Sequence, residues 1–253
     1  GLSVSGIRYY EKAGVISPLR GENGKYREFS LHELQLLLMC KYYRQCGFSI
    51  QESIDLLKQS DASKVKLKME TRCNQLEQEI TRQQMMLELM KEKTRGLDCL
   101  EGPLSCITEV RSPALLRLKL WRPGMEEHEY APFSQIMEWF SYNPFIDSCL
   151  ILPEERLLHG SGLLETEWGL SIEESFANRL GIIPNKQVER IPSCDCVRLM
   201  VRVNEDLTID ADQLSPARQY LADHDLTNVG NAISRMLLHT SAGEKLIRYD
   251  YLW

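Results

Sequence analysis

The sequence predicts an α+β protein in three consecutive parts: a winged helical head over residues 1–62, a long coiled-coil helix over 63–100 and a larger α+β domain over 101–253. Three observations carry this. Helix caps and turn residues crowd the head, a heptad pattern without proline runs through the next stretch, and past residue 100 alternating, β-branched segments take over.

A chain of 253 residues, 43% hydrophobic and 26% charged, is long enough to bury a sizeable core and too apolar to stay disordered. No apolar run approaches the ~18 residues of a membrane span, and no signal peptide is evident. Its eight cysteines are too sparse for a disulfide scaffold and read as reduced thiols of a cytoplasmic protein. The net charge of −6 hides a segregation of signs. Residues 1–100 carry 16 Lys/Arg against 13 Asp/Glu, whereas 101–253 carry 14 against 23. Such asymmetry points to modules with different partners.

In the head, Ser3 caps a helix through Gly6-Ile7-Arg8-Tyr9-Tyr10-Glu11-Lys12-Ala13, which Gly14 stops. Val15-Ile16-Ser17-Pro18 leads out in extended form. Turn residues Gly21 to Gly24 and the alternating Lys25-Tyr26-Arg27-Glu28-Phe29 predict a small hairpin, or wing. Two capping boxes, Ser30 with Glu33 and Ser49 with Glu52, open two more helices, the first with an apolar stripe of Leu34, Leu37, Leu38 and Tyr42 before Gly47. Helix, wing, helix, helix is a winged helix-turn-helix plan for DNA. Arg8 with Ser5 and Tyr9 suits a groove, Lys25, Tyr26 and Arg27 suit a backbone, and Arg44 suits a phosphate. The same residues also fit a solvated charged face with Tyr10 and Tyr26 as core rings.

The series Ile7-Arg8-Tyr9-Tyr10-Glu11-Lys12-x-Gly14, Pro18, Arg20, Gly24-x-Tyr26-Arg27-x-Phe29-Ser30 and Arg44-x-x-Gly47-Phe48-Ser49-Ile50-x-Glu52 resembles the N-terminal domain of the MerR family of bacterial transcription regulators. The resemblance implies a recognition helix with Ser5, Arg8 and Tyr9 at the DNA, a wing with Tyr26 and Arg27, and Arg44 at a phosphate. It also implies an earlier helix, the first half of the helix-turn-helix, which is expected upstream of Gly1.

Residues 63–98 hold one helix without proline. Met69, Cys73, Leu76, Ile80, Gln83, Leu87, Met90, Thr94 and Leu97 alternate spacings of four and three, the seam of a coiled coil that predicts a homodimer. Packing of the helix on its own domain is the competing reading. The resemblance implies an antiparallel pair.

Past Gly102-Pro103, strands are expected at 104–120 and near 149–152, 155–159, 194–203 and 244–252. Helices are expected at 133–140, 213–222 and 229–239. Strand–helix–strand units thus occur twice, suggesting an α+β domain of two related halves. The layout is similar to the GyrI-like effector domains of drug-sensing MerR regulators, which implies an aromatic, acidic pocket for bulky, often cationic molecules. The candidates are Trp139, Glu167, Trp168, Tyr249 and Tyr251, though most such rings belong to cores.

Cys99 and Cys106 lie where metal-sensing members of the family keep ligands, so a thiol or soft-metal sensor such as one for Cu(I) is an alternative. No Gly-rich phosphate loop, G-x-S-x-G or H-E-x-x-H motif suggests an enzyme, and no cofactor is implied. The expectation is a cytoplasmic, homodimeric regulator that binds an inverted repeat in double-stranded promoter DNA. By resemblance it distorts the promoter spacer for RNA polymerase when a small-molecule inducer binds, with no membrane partner. A coiled-coil adaptor for another protein is the alternative of a different class.

Overall fold

The computed structural model describes residues 3–21, 26–59, 61–101, 106–126, 130–242 and 245–253. The chain forms two compact units, Gly1–Gln83 and Gln84–Trp253.

In the first unit, α1 (Val4–Lys12) starts at Ser3, whose hydroxyl accepts from the Gly6 N–H at 3.1 Å. It stops before Gly14, which takes φ +66°. Strands β1 (Leu19–Arg20) and β2 (Arg27–Glu28) pair as an antiparallel hairpin. The expected turn residues 22–24 and Lys25 lie outside the described residues. Helices α2 (Leu31–Gln45) and α3 (Ile50–Lys58) each begin with a complete capping box. Glu33 also accepts from the Ser17 N–H at 2.7 Å, tying the exit of α1 to the start of α2.

The core of this unit is Tyr10, Ile16, Leu37, Cys40 and Ile54. The expected stripe on α2 is corrected here. Leu37 is buried, but Leu34, Leu38 and Tyr42 are about half exposed or more, and Cys40 and Tyr43 take the inner positions. Four leucines in five residues are apolar all round, so the face that meets Tyr10 is chosen by packing rather than by local pattern. Tyr10 is a core ring; Tyr26, at 79% exposed, is not.

Helix α4 (Ala62–Asp98) continues without a break. Near its start, Arg72 donates to the Cys46 carbonyl at 2.9 Å and pairs with Glu79. Gly47, at φ +94°, leaves room for that guanidinium, which a Cβ would strike. Along the seam, Leu76, Ile80, Leu87, Met90 and Leu97 are exposed in the single chain, whereas Met85 and Leu89, off the seam, are buried.

The second unit is a ten-stranded antiparallel sheet with helices. In chain order it holds β3 (Thr108–Arg111), β4 (Leu115–Trp121), α5 (Phe133–Phe140), β5 (Ile146–Leu152) and α6 (Glu154–His159). Next come β6 (Leu163–Leu164), β7 (Glu167–Glu173), α7 (Glu174–Leu180) and β8 (Val188–Ile191). Strands β9 (Asp195–Val203) and β10 (Ile209–Asp210), helix α8 (Ser215–Asp223), and β11 (Ala232–Ala242) and β12 (Lys245–Leu252) complete it.

Their order in the sheet is β6-β10-β9-β12-β11-β5-β7-β4-β8, with β3 also on β9. The inner six strands repeat one plan. Strand, helix, strand, strand occurs as β4-α5-β5-β7 and again as β9-α8-β11-β12, with the last strand of each set in the middle. The two sets join through β5 and β11, where Ala232 to Arg235 pair with Leu152 to Cys149.

Two expected elements differ. Residues 155–159 form helix α6 rather than a strand, because Pro153 fixes its entry and Glu154 and Glu155 oppose the positive end of its dipole. Residues 229–239 enter strand β11 rather than a helix. That segment is central, hydrogen-bonded on both sides, and tertiary pairing overrides its weak helical spacing.

The capping carboxylates give the head an acid sensitivity. The backbone N–H of Ser30, followed by that of Ser17, holds the Glu33 carboxyl below the ordinary glutamate value, and the Ser49 cap does the same for Glu52. A lowered pKa favours the folded state above the unfolded value of about 4.3, a contribution lost as pH falls through the lower native value. The chain should therefore lose helical stability below about pH 4.3. A Glu33→Gln, Glu52→Gln double variant should decline less steeply in circular-dichroism melts; identical acid slopes would contradict this.

Candidate functional site

On the first unit, Ser5, Arg8 and Tyr9 are all exposed on α1, at helical spacings of three and four that set them on one face. The Tyr9 hydroxyl donates to Gln51 Oε1 of α3 at 3.4 Å, which steadies the ring without burying it. Arg27 is placed differently. Its Nε and Nη2 both donate to Glu11 Oε2, at 3.0 and 2.8 Å, and Arg20 lies 3.6 Å from the other oxygen. This clasp fixes the hairpin against α1, one turn beyond Arg8, and leaves Tyr26 projecting beside it. Arg44 is exposed, and its Nη1 donates to the Phe48 carbonyl at 2.5 Å, bridging the end of α2 to the start of α3. The structure thus gathers Ser5, Arg8, Tyr9 and the hairpin into one exposed region, with charged, hydroxyl and aromatic groups side by side.

On the second unit, the sheet has two unlike faces, and strand register sorts the candidate residues between them. Leu150, Trp168, Ser234 and Leu252 stand in register and share the apolar face. Trp139 of α5 is buried against that face, among Leu116, Leu118, Leu170 and Ile172. There Trp168 Nε1 donates to Ser148 Oγ at 2.9 Å, Arg248 donates to the same oxygen at 3.0 Å, and Arg248 grips Asp250 through two bonds. Glu167, Tyr249 and Tyr251 belong to the opposite face. The five candidates are therefore not brought together; they divide two and three.

The opposite face is laced with charge. Asp147 accepts from Lys93 Nζ and from Arg235 Nη2, both at 2.7 Å, and Arg235 Nη1 donates to Glu173 at 2.6 Å. Burial opposes the charge on Arg235, but Asp147, Glu173 and Glu92 overcome it and hold the guanidinium firmly protonated. Glu92, beside them on α4, is pushed up by burial despite Arg235. Arg117 meets Glu189 at 3.2 Å and Glu167 at 3.6 Å. The Arg198 guanidinium lies 4.5 Å from the Tyr251 ring centroid. Burial and the neighbouring Cys99 push the Tyr251 hydroxyl up to about 12, so it stays protonated and donates to Cys99 Sγ at 3.9 Å. Gly96 makes this approach possible: a Cβ there would lie 2.7 Å from the Tyr251 hydroxyl.

Asp147, Arg235 and Arg117 escaped the sequence reading. Their signal was a lone charge inside an apolar strand, as in Ile-Asp-Ser-Cys-Leu-Ile-Leu. Cys99 and Cys106 are both exposed, and among the described residues no group of three His, Cys, Asp or Glu is placed to hold a metal ion. Nor, among those residues, is any helix long and apolar enough to cross a membrane.

Comparison with known proteins agrees with the head. The family model described as MerR HTH family regulatory protein matches residues 1–60. The HTH-type transcriptional regulator CueR of Salmonella typhi is 31% identical over 113 residues, 41% of this chain and 81% of that protein. CueR of Escherichia coli O6:H1 is 34% identical over 92 residues, 34% of this chain and 67% of that protein. Among solved structures, an EcmrR–DNA complex in EcmrR-RPo aligns over 98% of this chain and 93% of its own, at 14% identity and a TM-score of 0.34. The chain belongs to the MerR family of helix-turn-helix regulatory proteins, DNA-binding regulators of transcription.

The charge cluster of the second unit is open to test. Arg235→Ala leaves the buried Asp147 with Lys93 alone and the partly buried Glu173 without its guanidinium, and should cost about 3–5 kcal/mol in urea unfolding of the full chain. Adding Asp147→Asn should recover part of the loss. A cost below about 1 kcal/mol would show the cluster to be solvated like a surface pair.

Proposed function

We propose that the chain acts in the cytoplasm as a homodimeric, ligand-responsive regulator that binds an inverted repeat in promoter DNA and activates transcription. The observation that carries the DNA-binding part is the exposed Ser5-Arg8-Tyr9 face of α1 with the Arg27-anchored hairpin beside it. Arg8 and Tyr9 enter a groove, Tyr26 and the hairpin follow the backbone, and Arg44 reaches a phosphate. Arg27 contributes chiefly by holding the wing in place.

Dimerisation uses the exposed leucine, isoleucine and methionine seam of α4, an apolar stripe that a second copy of the same helix would cover. The second unit serves as the effector domain, and its inducer is a bulky small molecule. Of the cationic and lipophilic classes the family suggests, the structure favours the lipophilic one. Glu165, Glu167 and Asp250, carboxylates next to candidate rings in the sequence, are each engaged by an arginine of the chain itself, Arg156, Arg117 and Arg248. Binding then shifts a two-state equilibrium in promoter geometry, on which RNA polymerase engages both promoter elements.

Arg8→Ala should weaken binding to the inverted-repeat duplex by roughly 1–3 kcal/mol. Arg27→Ala should weaken it too, by loosening the hairpin. Gel-shift titrations across salt concentrations measure both; unchanged affinity in the two variants would overturn the DNA-binding assignment. Ile80→Glu should turn the dimer into a monomer in sedimentation and abolish inverted-repeat binding, while a persistent dimer would move the interface elsewhere.

A further inference from the structure

Two thiols of the second unit have no part in the readings above. Cys194 and Cys196 stand two positions apart at the start of β9, the first exposed and the second half-buried, and both are free. Strand β3 holds them. The Ser112 N–H donates to the Cys194 carbonyl at 2.8 Å, which carries the pairing of β3 with β9 one step past Arg111 and Asp195. The Cys194 N–H donates back to Ser112 Oγ at 3.0 Å, and that oxygen lies 3.6 Å from Cys194 Sγ. Cys196 Sγ donates to the Val110 carbonyl at 3.4 Å. Burial, then the neighbouring Cys194, raises the Cys196 thiol above its ordinary pKa, so it keeps its proton.

Register decides which way the thiols face. Tyr251 stands opposite Met200, and alternation along β9 then sets Arg198, Cys196 and Cys194 on the face of Tyr251 and Trp253. Trp253 pairs with Ile233 through two backbone bonds, at 2.8 and 2.9 Å. The registers of β11, β5, β7, β4 and β8 place Ile233, Leu115 and Ile191 on that face too. The two cysteines, Trp253, Ile233, Leu115 and Ile191 all line one cleft of about 620 Å³. That volume suits a small organic molecule. Charges at its rim are matched within the chain, Arg111 by Asp195 at 3.1 Å and Glu109 by the Tyr220 hydroxyl at 2.8 Å.

Alternate residues of a strand are about 6.7 Å apart, and turning each χ1 toward the other brings their sulfurs within reach of one shared atom. Sulfur selects a soft centre. An ion that needs three protein ligands is poorly served, because among the described residues no His, Cys, Asp or Glu completes a group of three. Trivalent arsenic that carries one organic group has two bonds left, one for each thiol, and its organic group can fill the apolar cleft.

We propose that Cys194 and Cys196 form a dithiol site for a trivalent arsenical with an apolar organic group, the arsenic bridging the two sulfurs and the organic group lying against Ile233 and Trp253. Two As–O bonds of the hydrated arsenical break and two As–S bonds form. Each thiol hydrogen leaves with a hydroxyl as water, and the arsenic stays trivalent, so neither oxidant nor reductant enters. The site stands on the cleft itself; its influence on operator DNA rests on the effector reading above.

The test adds one equivalent of phenylarsine oxide to the full chain and maps the adduct by peptide mass spectrometry. One phenylarsenic unit should appear on the peptide that carries both cysteines. In competition with dithiothreitol it should bind at least tenfold tighter than methylarsonous acid, a difference of about 1.4 kcal/mol. Cys194→Ser and Cys196→Ser should each weaken binding at least tenfold, and Trp253→Ala should erase the preference for phenyl over methyl. Mapping on the native chain keeps the test decisive if a variant unfolds. An adduct on Cys99 or Cys106 instead, no adduct, unchanged affinity in both serine variants, or equal binding of the two arsenicals would each overturn the proposal. Displacement of the phenylarsenical from the pair by an equal concentration of Cu(I) would overturn it as well. A bound arsenical that leaves the operator complex unchanged would uphold the site and remove the effector role. Failure of the untreated chain to bind operator DNA would refute the regulator reading and leave the site standing.

Discussion

The paired charges of Asp147 and Arg235 are the constraint on which the second unit depends. They sit on the two strands that join its halves, and the pair also holds Lys93 of α4 and Glu173 of β7. Buried charges are tolerable only when matched, so this cluster specifies more than it stabilises. Slipping β11 by one residue against β5 would turn Arg235 into the apolar face and leave Asp147 with Lys93 alone. The ion pair thereby fixes register at the place where the two halves of the sheet join.

The same alternation explains the division of labour between the faces. Residues that point toward α5 are leucine, isoleucine and phenylalanine, with one polar chain from Trp168 through Ser148 and Arg248 to Asp250. Residues that point the other way carry arginines against carboxylates, relieved by Tyr249 and Tyr251 on the last strand. The charges on that face therefore already have partners within the chain.

Much of the head was legible because its signals are local. Ser3, the two capping boxes, Gly14 and Gly47 act within a few residues, and the structure uses each as the pattern implies. The long helix was equally legible, since a repeat over nine seam positions leaves little room for another element. The second unit was less so. Residues 155–159 and 229–239 are short segments whose apolar spacing suits helix or strand, and long-range pairing decided them. The site residues suffered from the same cause. Glu167 and Trp168 are neighbours in one strand and must face opposite ways, yet which other residues join each is settled only by register. The buried arginines were invisible because a lone charge among leucines looks like an edge position until a carboxylate from a distant strand is seen beside it.

The repeated strand–helix–strand–strand plan gives the sheet an internal symmetry. The two halves meet through corresponding strands running in opposite directions, the arrangement that two identical copies adopt about a twofold axis. Only four residue pairs make the join, against eight between β11 and β12 within one half. The seam thus has the geometry of a subunit boundary, an edge of each half satisfied from within the chain.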